Sequence, residues 1–323
     1  MAERSYSGCT AAFCHPPAVR RWCEDLLARP IEDTQQVCWC PLQRRYPRRS
    51  NRTHHAHPID LWARTAEGAP TFNAQWGQDW WLYANYLRRR DNRNPGVYVD
   101  LATNDPIFRS STFFLDACLG WKGACIEANP RHYYNIWEHR SCSLVPACAT
   151  DGQRRLVLRA GPGERDSSQG SASIGEASTA RSNASVVHCD SLTHMLQRTG
   201  HTHVDVLSLD VEGHEAAVLS GLDFGRITID IILMEPACTG RGRRPCAKLR
   251  EANYTLLPRT NILDGVWVRR GLLDAFVGQP TSPFKCRRAE TKGSCRGWDY
   301  RGDASDYGLR AHSSATTPYS LNE

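Results

Sequence analysis

The chain of 323 residues has no run of about 18 apolar residues, so nothing in it is expected to span a membrane. Met1 to Cys14 lacks the apolar core of a signal peptide. Neither sign of charge dominates. Forty basic residues face 34 acidic ones, a formal net charge of +6, which is too mild to imply a nucleic-acid partner. No internal repeat is visible. His54, His55 and His57 lie close together, but no carboxylate or cysteine stands at a ligand spacing from them, and no metal site is expected. Hydrophobic residues make up 41% of the chain, enough to fill a core. The length allows one large α/β domain with extensions, or two smaller domains.

A further absence is local. The apolar run Val97-Tyr-Val-Asp100 is followed by Leu-Ala-Thr-Asn104-Asp-Pro, with no glycine. A dinucleotide fold needs G-x-G-x-x-G at this point, so that a pyrophosphate can approach bare backbone and a helix N-terminus. Beyond the loop, Phe113, Phe114, Ala117 and Cys118 recur at helical spacing between Ser110 and Gly120. A second short apolar run then ends at Cys125-Ile-Glu127. Strand, loop, helix, strand and acid form the opening unit of a nucleotide-binding α/β domain. In that unit the acid after the second strand accepts hydrogen bonds from a ribose diol. Glu127 is that acid. The ligand is thereby narrowed to one with an adenosine-like ribose and no pyrophosphate. S-adenosylmethionine fits, because it has no phosphate and carries a sulfonium and an amino-acid tail, which carboxylates such as Asp100 suit. A nicotinamide dinucleotide is the alternative that the glycine-free loop disfavours.

Along the chain, residues 1–70 have irregular apolar spacing and many Arg, Pro and Cys, and are expected to form an extension with little regular structure. A chain starting near Gly68 is expected to fold without them. Pro41 to Arg52 reads as a solvated basic linker. The domain proper is expected over 71–270, with a helix over Gln75 to Arg90 and further helices over Pro130 to His139, Ser191 to Gln197 and Cys246 to Asn253. Strands are expected at Leu144 to Ala149, Arg154 to Arg159, Val186 to Cys189, Val204 to Asp210 and Ile227 to Glu235. Tyr254 to Pro258 and Gly265 to Arg269 read as a closing antiparallel pair. Gly161 to Ser185 is rich in Ser, Gly and Ala and reads as an insertion, disordered or acting as a lid. Residues 271–323 read as a C-terminal extension and tail. Fourteen cysteines and three sequons, at Asn51, Asn183 and Asn253, lean towards a secretory lumen. The absent apolar leader leans towards the cytoplasm, and both compartments stay open.

Acids end four of the expected strands: Asp100, Glu127, Asp210 and Glu235. In an open α/β sheet all four ends lie on one edge, where ligands bind. Each also has a bland reading as a turn former or helix cap. Asp210-Val-Glu-Gly-His-Glu215 is densest in polar chemistry. His214 titrates near neutrality and can serve as a general base. Glu212 and Glu215 also suit the start of a helix by its dipole.

Tyr98-Val-Asp-Leu-Ala-Thr-Asn-Asp, the segment Phe114 to Pro130 with its Gly-Trp-Lys-Gly-Ala-Cys-Ile-Glu-Ala-Asn-Pro, and Val206-Leu-Ser-Leu-Asp-Val-Glu-Gly-His-Glu215 resemble the FkbM-type methyltransferases. The resemblance runs from about Gln75 to Arg269. It implies a Rossmann-like class I methyltransferase fold, a mostly parallel seven-stranded sheet with helices on both faces and the last strand antiparallel. It implies S-adenosylmethionine as cofactor and the hydroxyl of a small molecule or glycan as acceptor. Asp100 and Asn104 would lie in the donor loop, Glu127 would bind the ribose hydroxyls, and Ala149 to Asp151 would flank the adenine. Asp210 would sit at the reacting end, with Asp210 or His214 as base. The family usually has glycines in the donor loop, where this chain has Ala102 and Pro106. Some eukaryotic relatives, the Star-like proteins, act mainly in membrane trafficking, so a non-catalytic interaction protein on the same fold is the alternative reading.

Overall fold

The computed structural model describes residues 15–34, 70–90, 94–159, 173–175, 184–235, 243–257 and 264–275. Helix α1 (Pro17–Leu27) opens on a proline, whose fixed φ suits a first helical turn, and buries Val19, Trp22, Cys23 and Leu26. Helix α2 (Gln78–Asn85) follows a left-handed Gly77. Strand β1 (Val97–Leu101) leads into helix α3 (Phe113–Ala117), strand β2 (Lys122–Ile126) and helix α4 (Pro130–His139). Asn129 caps α4 by accepting the N–H of Arg131. Strands β3 (Ser143–Val145), β4 (Cys148–Thr150), β5 (Arg154–Arg159), β6 (Ser173–Gly175) and β7 (Ala184–Ser191) come next. The chain continues through α5 (Leu192–Arg198), β8 (His203–Leu209), α6 (Glu215–Ser220), β9 (Thr228–Met234) and α7 (Arg243–Glu251). Strands β10 (Tyr254–Leu256) and β11 (Gly265–Arg269) complete it.

Seven strands form one sheet in the order β10-β11-β9-β8-β1-β2-β3. β9, β8, β1, β2 and β3 run parallel, and β11 is antiparallel to both of its neighbours. The order reverses between β1 and β8, where Asp100 stands opposite Ser208. Alternation along the strands fills both faces. Tyr98, Val206, Ile231, Leu233, Val266 and Val268 pack with α1, α2, α3 and Ile136 of α4. Val99, Leu101, Leu207, Leu209, Ile232, Met234 and Trp267 pack with α5, α6 and α7. A second sheet, β4-β7-β5-β6, has a small core of its own around Cys148, Leu156, Leu158, Val187 and Cys189. Disulfides join Cys23 to Cys118, Cys125 to Cys142 and Cys148 to Cys189. Cys246 is disulfide-bonded as well.

Several expectations change. α1 is regular and buried where little regular structure was expected before residue 70, because Val19, Trp22 and Leu26 recur on one helical face. The expected helix from Ser110 to Gly120 shrinks to α3, because Ser110 and Thr112 turn their hydroxyls to Asp100 instead. The single strand expected over Leu144 to Ala149 is two, in different sheets. Pro146 lies between them, with no N–H to offer a ladder. Of the expected insertion, Ser173–Gly175 pairs with β5 as β6 and Ala184–Ser185 opens β7. The remainder of it, the Arg-rich linker, the histidine cluster and the C-terminal part beyond residue 275 lie outside the described residues. Among the described residues no helix is long and apolar enough to cross a membrane.

Candidate functional site

The carboxyl ends of β1, β2, β8 and β9 share one edge of the large sheet, and so does the start of antiparallel β11. Five acids stand along that edge: Asp264, Glu235, Asp210, Asp100 and Glu127, in spatial order from β11 to β2. They fall into two groups.

The first group surrounds the β1–α3 loop. Glu127 is buried, and its Oε2 accepts the N–H of Asn104 at 2.8 Å while its Oε1 accepts that of Asn129 at 2.6 Å. Each oxygen keeps a further lone pair. Burial pushes the Glu127 carboxyl up, against the pull of these two N–H groups. Ala102 and Asn104 both take left-handed φ values, 62° and 54°, so the loop bends where glycine would bend without cost. Asp100 is buried too, but its Oδ2 accepts from Thr112 Oγ1 at 2.6 Å and from Arg140 Nη1 at 3.2 Å. The Arg140 guanidinium, fully buried, also donates to Pro106 O at 3.2 Å, Ser110 Oγ at 3.1 Å, Thr112 Oγ1 at 2.6 Å and Asp116 Oδ2 at 2.7 Å. Arg140 thus holds the β1–α3 loop from behind and takes up the charge of Asp100. From the other side, Asn73 Nδ2 donates to Ile107 O, and Ala74 bridges Arg109.

The second group is acidic throughout. Asp210 Oδ1 is buried and has no hydrogen-bond partner among the described residues. Burial, then the charges of Glu235, Asp264, Glu212 and Glu215, push the Asp210 carboxyl well above its ordinary value. Burial and the same neighbours push Glu235, which is hydrogen-bonded to Asp210, up to about 7. Burial pushes Asp264 to about 6, although Gln78 Nε2 donates to its Oδ2 at 2.8 Å. Glu212 (φ 53°) and Gly213 (φ 96°) make a tight turn here, closed by the Gly213 N–H on Glu215 Oε1 at 3.0 Å. The arrangement concentrates negative charge in a place that favours a cation or the uptake of a proton.

His214 turns its ring to the end of β4. Its Nε2 meets Thr150 Oγ1 at 3.1 Å, and burial lowers its basicity. Thr150 lies between buried Ala149 and exposed Asp151, which pairs with Arg154. The structure therefore joins Asn104 to Glu127, ties Asp100 to Arg140, and groups His214 with Ala149 to Asp151. Sequence reading passed over Arg140, Asp264 and Gln78. Arg140 gives no signal, because its partners lie 24 to 40 residues away. Asp264 was findable, since an acid before an antiparallel strand shares the edge where the parallel strands end. At the opposite edge, His203, Asp205 and Asp230 cluster at metal-ligand spacing. Their carboxylates pair with Arg90 at 2.8 Å and Arg269 at 2.9 Å, which offsets the charge a cation would need.

Residues 100–237 match the family model described as the methyltransferase FkbM domain. Among solved structures, the chain is similar to the methyltransferase FkbM from Methylobacillus flagellatus KT, at 10% identity and a TM-score of 0.30, over 60% of this chain. It spans about half, 51%, of that protein's length. No curated protein matches the chain.

Proposed function

With a methyltransferase FkbM domain at residues 100–237 as the premise, we propose that the protein transfers a methyl group from S-adenosylmethionine to an oxygen nucleophile, the hydroxyl of a small molecule or glycan. We read the large sheet as a Rossmann-like class I methyltransferase sheet. Counted along the chain within it, the strands run 3-2-1-4-5-7-6 with the seventh antiparallel. We take 71–270 as the catalytic unit, with α1 bonded onto it through Cys23 and Cys118. The carrying observation is the set of acids at the point where strand order reverses, the place where open α/β sheets bind ligands.

The residues fit the donor unevenly. Glu127, with a free lone pair on each oxygen, suits a ribose diol, and Asn104 is held beside it. Asp100 offers little free charge, and we assign it with Arg140 to shaping the loop. Ala149 and Asp151 flank the adenine side. S-adenosylmethionine, when bound, supplies an electrophilic methyl group beside a positive sulfur. The acidic group around Asp210 favours that charge and accepts the acceptor's hydroxyl proton, shared between Asp210 and Glu235. His214 holds the β4 end through Thr150 rather than serving as base. Holding two reactants in line is largely positional catalysis.

Calorimetry with S-adenosylmethionine and its demethylated product tests the reading. Glu127→Ala is expected to weaken donor binding by about 1–3 kcal/mol, and Glu127→Gln by less. Asp210→Asn is expected to lower turnover more than donor affinity. A wild-type chain that binds neither ligand rejects the enzyme. One observation favours a second reading, an interaction protein on the same fold: the Asp100 charge is already taken by Arg140.

A further inference from the structure

The sequon Asn253-Tyr-Thr255 plays no part in the proposed reaction. In the structure Asn253 lies in the turn between α7 and β10, and Tyr254 and Thr255 open β10. Asn253 is exposed and takes a left-handed φ of 64°. Its backbone is fully used, donating to Arg250 O at 3.0 Å and accepting from Arg270 N at 2.9 Å. Its side chain makes no hydrogen bond to a described residue. Tyr254 points inward and donates to Ile229 O at 2.6 Å, so the side chains on either side of it are left outward. The left-handed turn is by itself a sufficient reason for asparagine. The disulfides are a second, independent observation. Cys23–Cys118, Cys125–Cys142 and Cys148–Cys189 are built between buried or half-buried positions of the fold. Bonds of this kind persist where the compartment is oxidising, and the lumen where they form is also where sequons are used.

We propose that Asn253 carries an N-linked oligosaccharide and that the chain folds in an oxidising secretory lumen. The donor is an oligosaccharide on a lipid diphosphate. Nδ2 of Asn253 forms a bond to C1 of the first sugar as the bond from C1 to the diphosphate oxygen breaks. The lipid diphosphate leaves with the electron pair, and the amide gives up one proton. Nothing is oxidised or reduced.

The position suits the load. β10 begins at the edge of the sheet opposite the carboxyl ends of β1, β2, β8 and β9, so the glycan stands away from the candidate site. β10 is also the last strand of the sheet, paired only with β11 among the described residues. A bulky hydrophilic group at its start shields an open strand edge from pairing with other chains.

The full chain is produced in eukaryotic cells and treated with peptide N-glycosidase in ¹⁸O water. Mass spectrometry is expected to find residue 253 converted to ¹⁸O-labelled aspartate. Thr255→Ser is expected to keep the label. Thr255→Val, which keeps shape and strand preference but lacks the hydroxyl, is expected to lose it, as is Asn253→Gln. An unlabelled Asn253 overturns the proposal, whether Cys23 and Cys118 are bonded or free. Label confined to Asn51 or Asn183 overturns it too.

Discussion

At the scale of single residues, the β1–α3 loop shows where a side chain works against its backbone. Ala102 sits at φ 62°, donating its N–H to Ile126 O at 2.9 Å. An L-residue there costs about 1–2 kcal/mol, while glycine would cost about 0.4–1 kcal/mol through the freer unfolded chain. Ala102→Gly is therefore expected to be neutral or stabilising by up to about 1.5 kcal/mol, as read by urea denaturation. A clear loss of stability would show that the methyl group packs usefully. Residues were unevenly legible at this scale. Glu127 and Asp210 could be placed because a short apolar run ending in an acid defines its own end of a strand. Arg140 could not, because a basic residue after a helix has an ordinary solvent role, and only the fold brings Asp100, Ser110, Thr112 and Asp116 around it.

Among the elements, β1, β2, β8 and β9 follow the apolar runs closely, since buried parallel strands leave an unbroken signal, and antiparallel β11 keeps a short buried run of its own at Val266 to Val268. The short ones do not: β3 and β4 look like one run in sequence, and only their partners in two sheets separate them. α1 is the larger lesson. Its surroundings are rich in Arg and Pro, which hides a face of Val19, Trp22 and Leu26 that lies in the main core. Burying each such side chain contributes about 1.5–3 kcal/mol. In the chain-entropy model, a crosslink over the 95 residues from Cys23 to Cys118 adds somewhat under about 4.7 kcal/mol. Set against a typical total of about 5–15 kcal/mol, a chain starting at Gly68 is expected not to fold stably, the reverse of the sequence expectation. Circular dichroism melts of that truncation and of Cys23→Ser check this. A cooperative, wild-type-like melt of the truncation would detach α1 from the domain.

For the molecule as a whole, buried acids set the pH response. Burial pushes Asp79 and Glu235 up to about 7 and Asp105 and Asp264 to about 6. In the unfolded chain these groups titrate near about 4. Between those limits the folded state binds more protons, so their contribution to stability is full below about pH 4 and is lost as pH rises through 6 to 7. Asp116 runs the other way. Burial opposes its charge, but the His15 hydrogen bond and the Arg140 charge outweigh it and hold the carboxyl low. It contributes stability above its unfolded value and loses it in stronger acid. Thermal melts are expected to rise from pH 8 towards pH 5, and Asp264→Asn is expected to flatten the upper part of that slope. A melting temperature independent of pH over this range would remove the acidic group from the energetics. Four of the five acids of this edge are legible as strand ends in the sequence, but the raised pKa values of Asp210 and Glu235 are not, because these come from burial and from neighbours brought together by the fold.

The disulfide pattern has a consequence for synthesis. Cys125–Cys142 and Cys148–Cys189 each join cysteines that are neighbours along the chain, so each pair closes as soon as its second member emerges. Cys23–Cys118 skips Cys38 and Cys40. During elongation Cys23 meets both of those thiols long before Cys118 exists. In the oxidising lumen proposed above, oxidation in order of synthesis would pair Cys23 with one of those thiols first, and thiolate attack would then have to reshuffle it to Cys118. Of the three described bonds, the one that staples α1 onto the sheet is thus the one whose native pairing depends on an exchange.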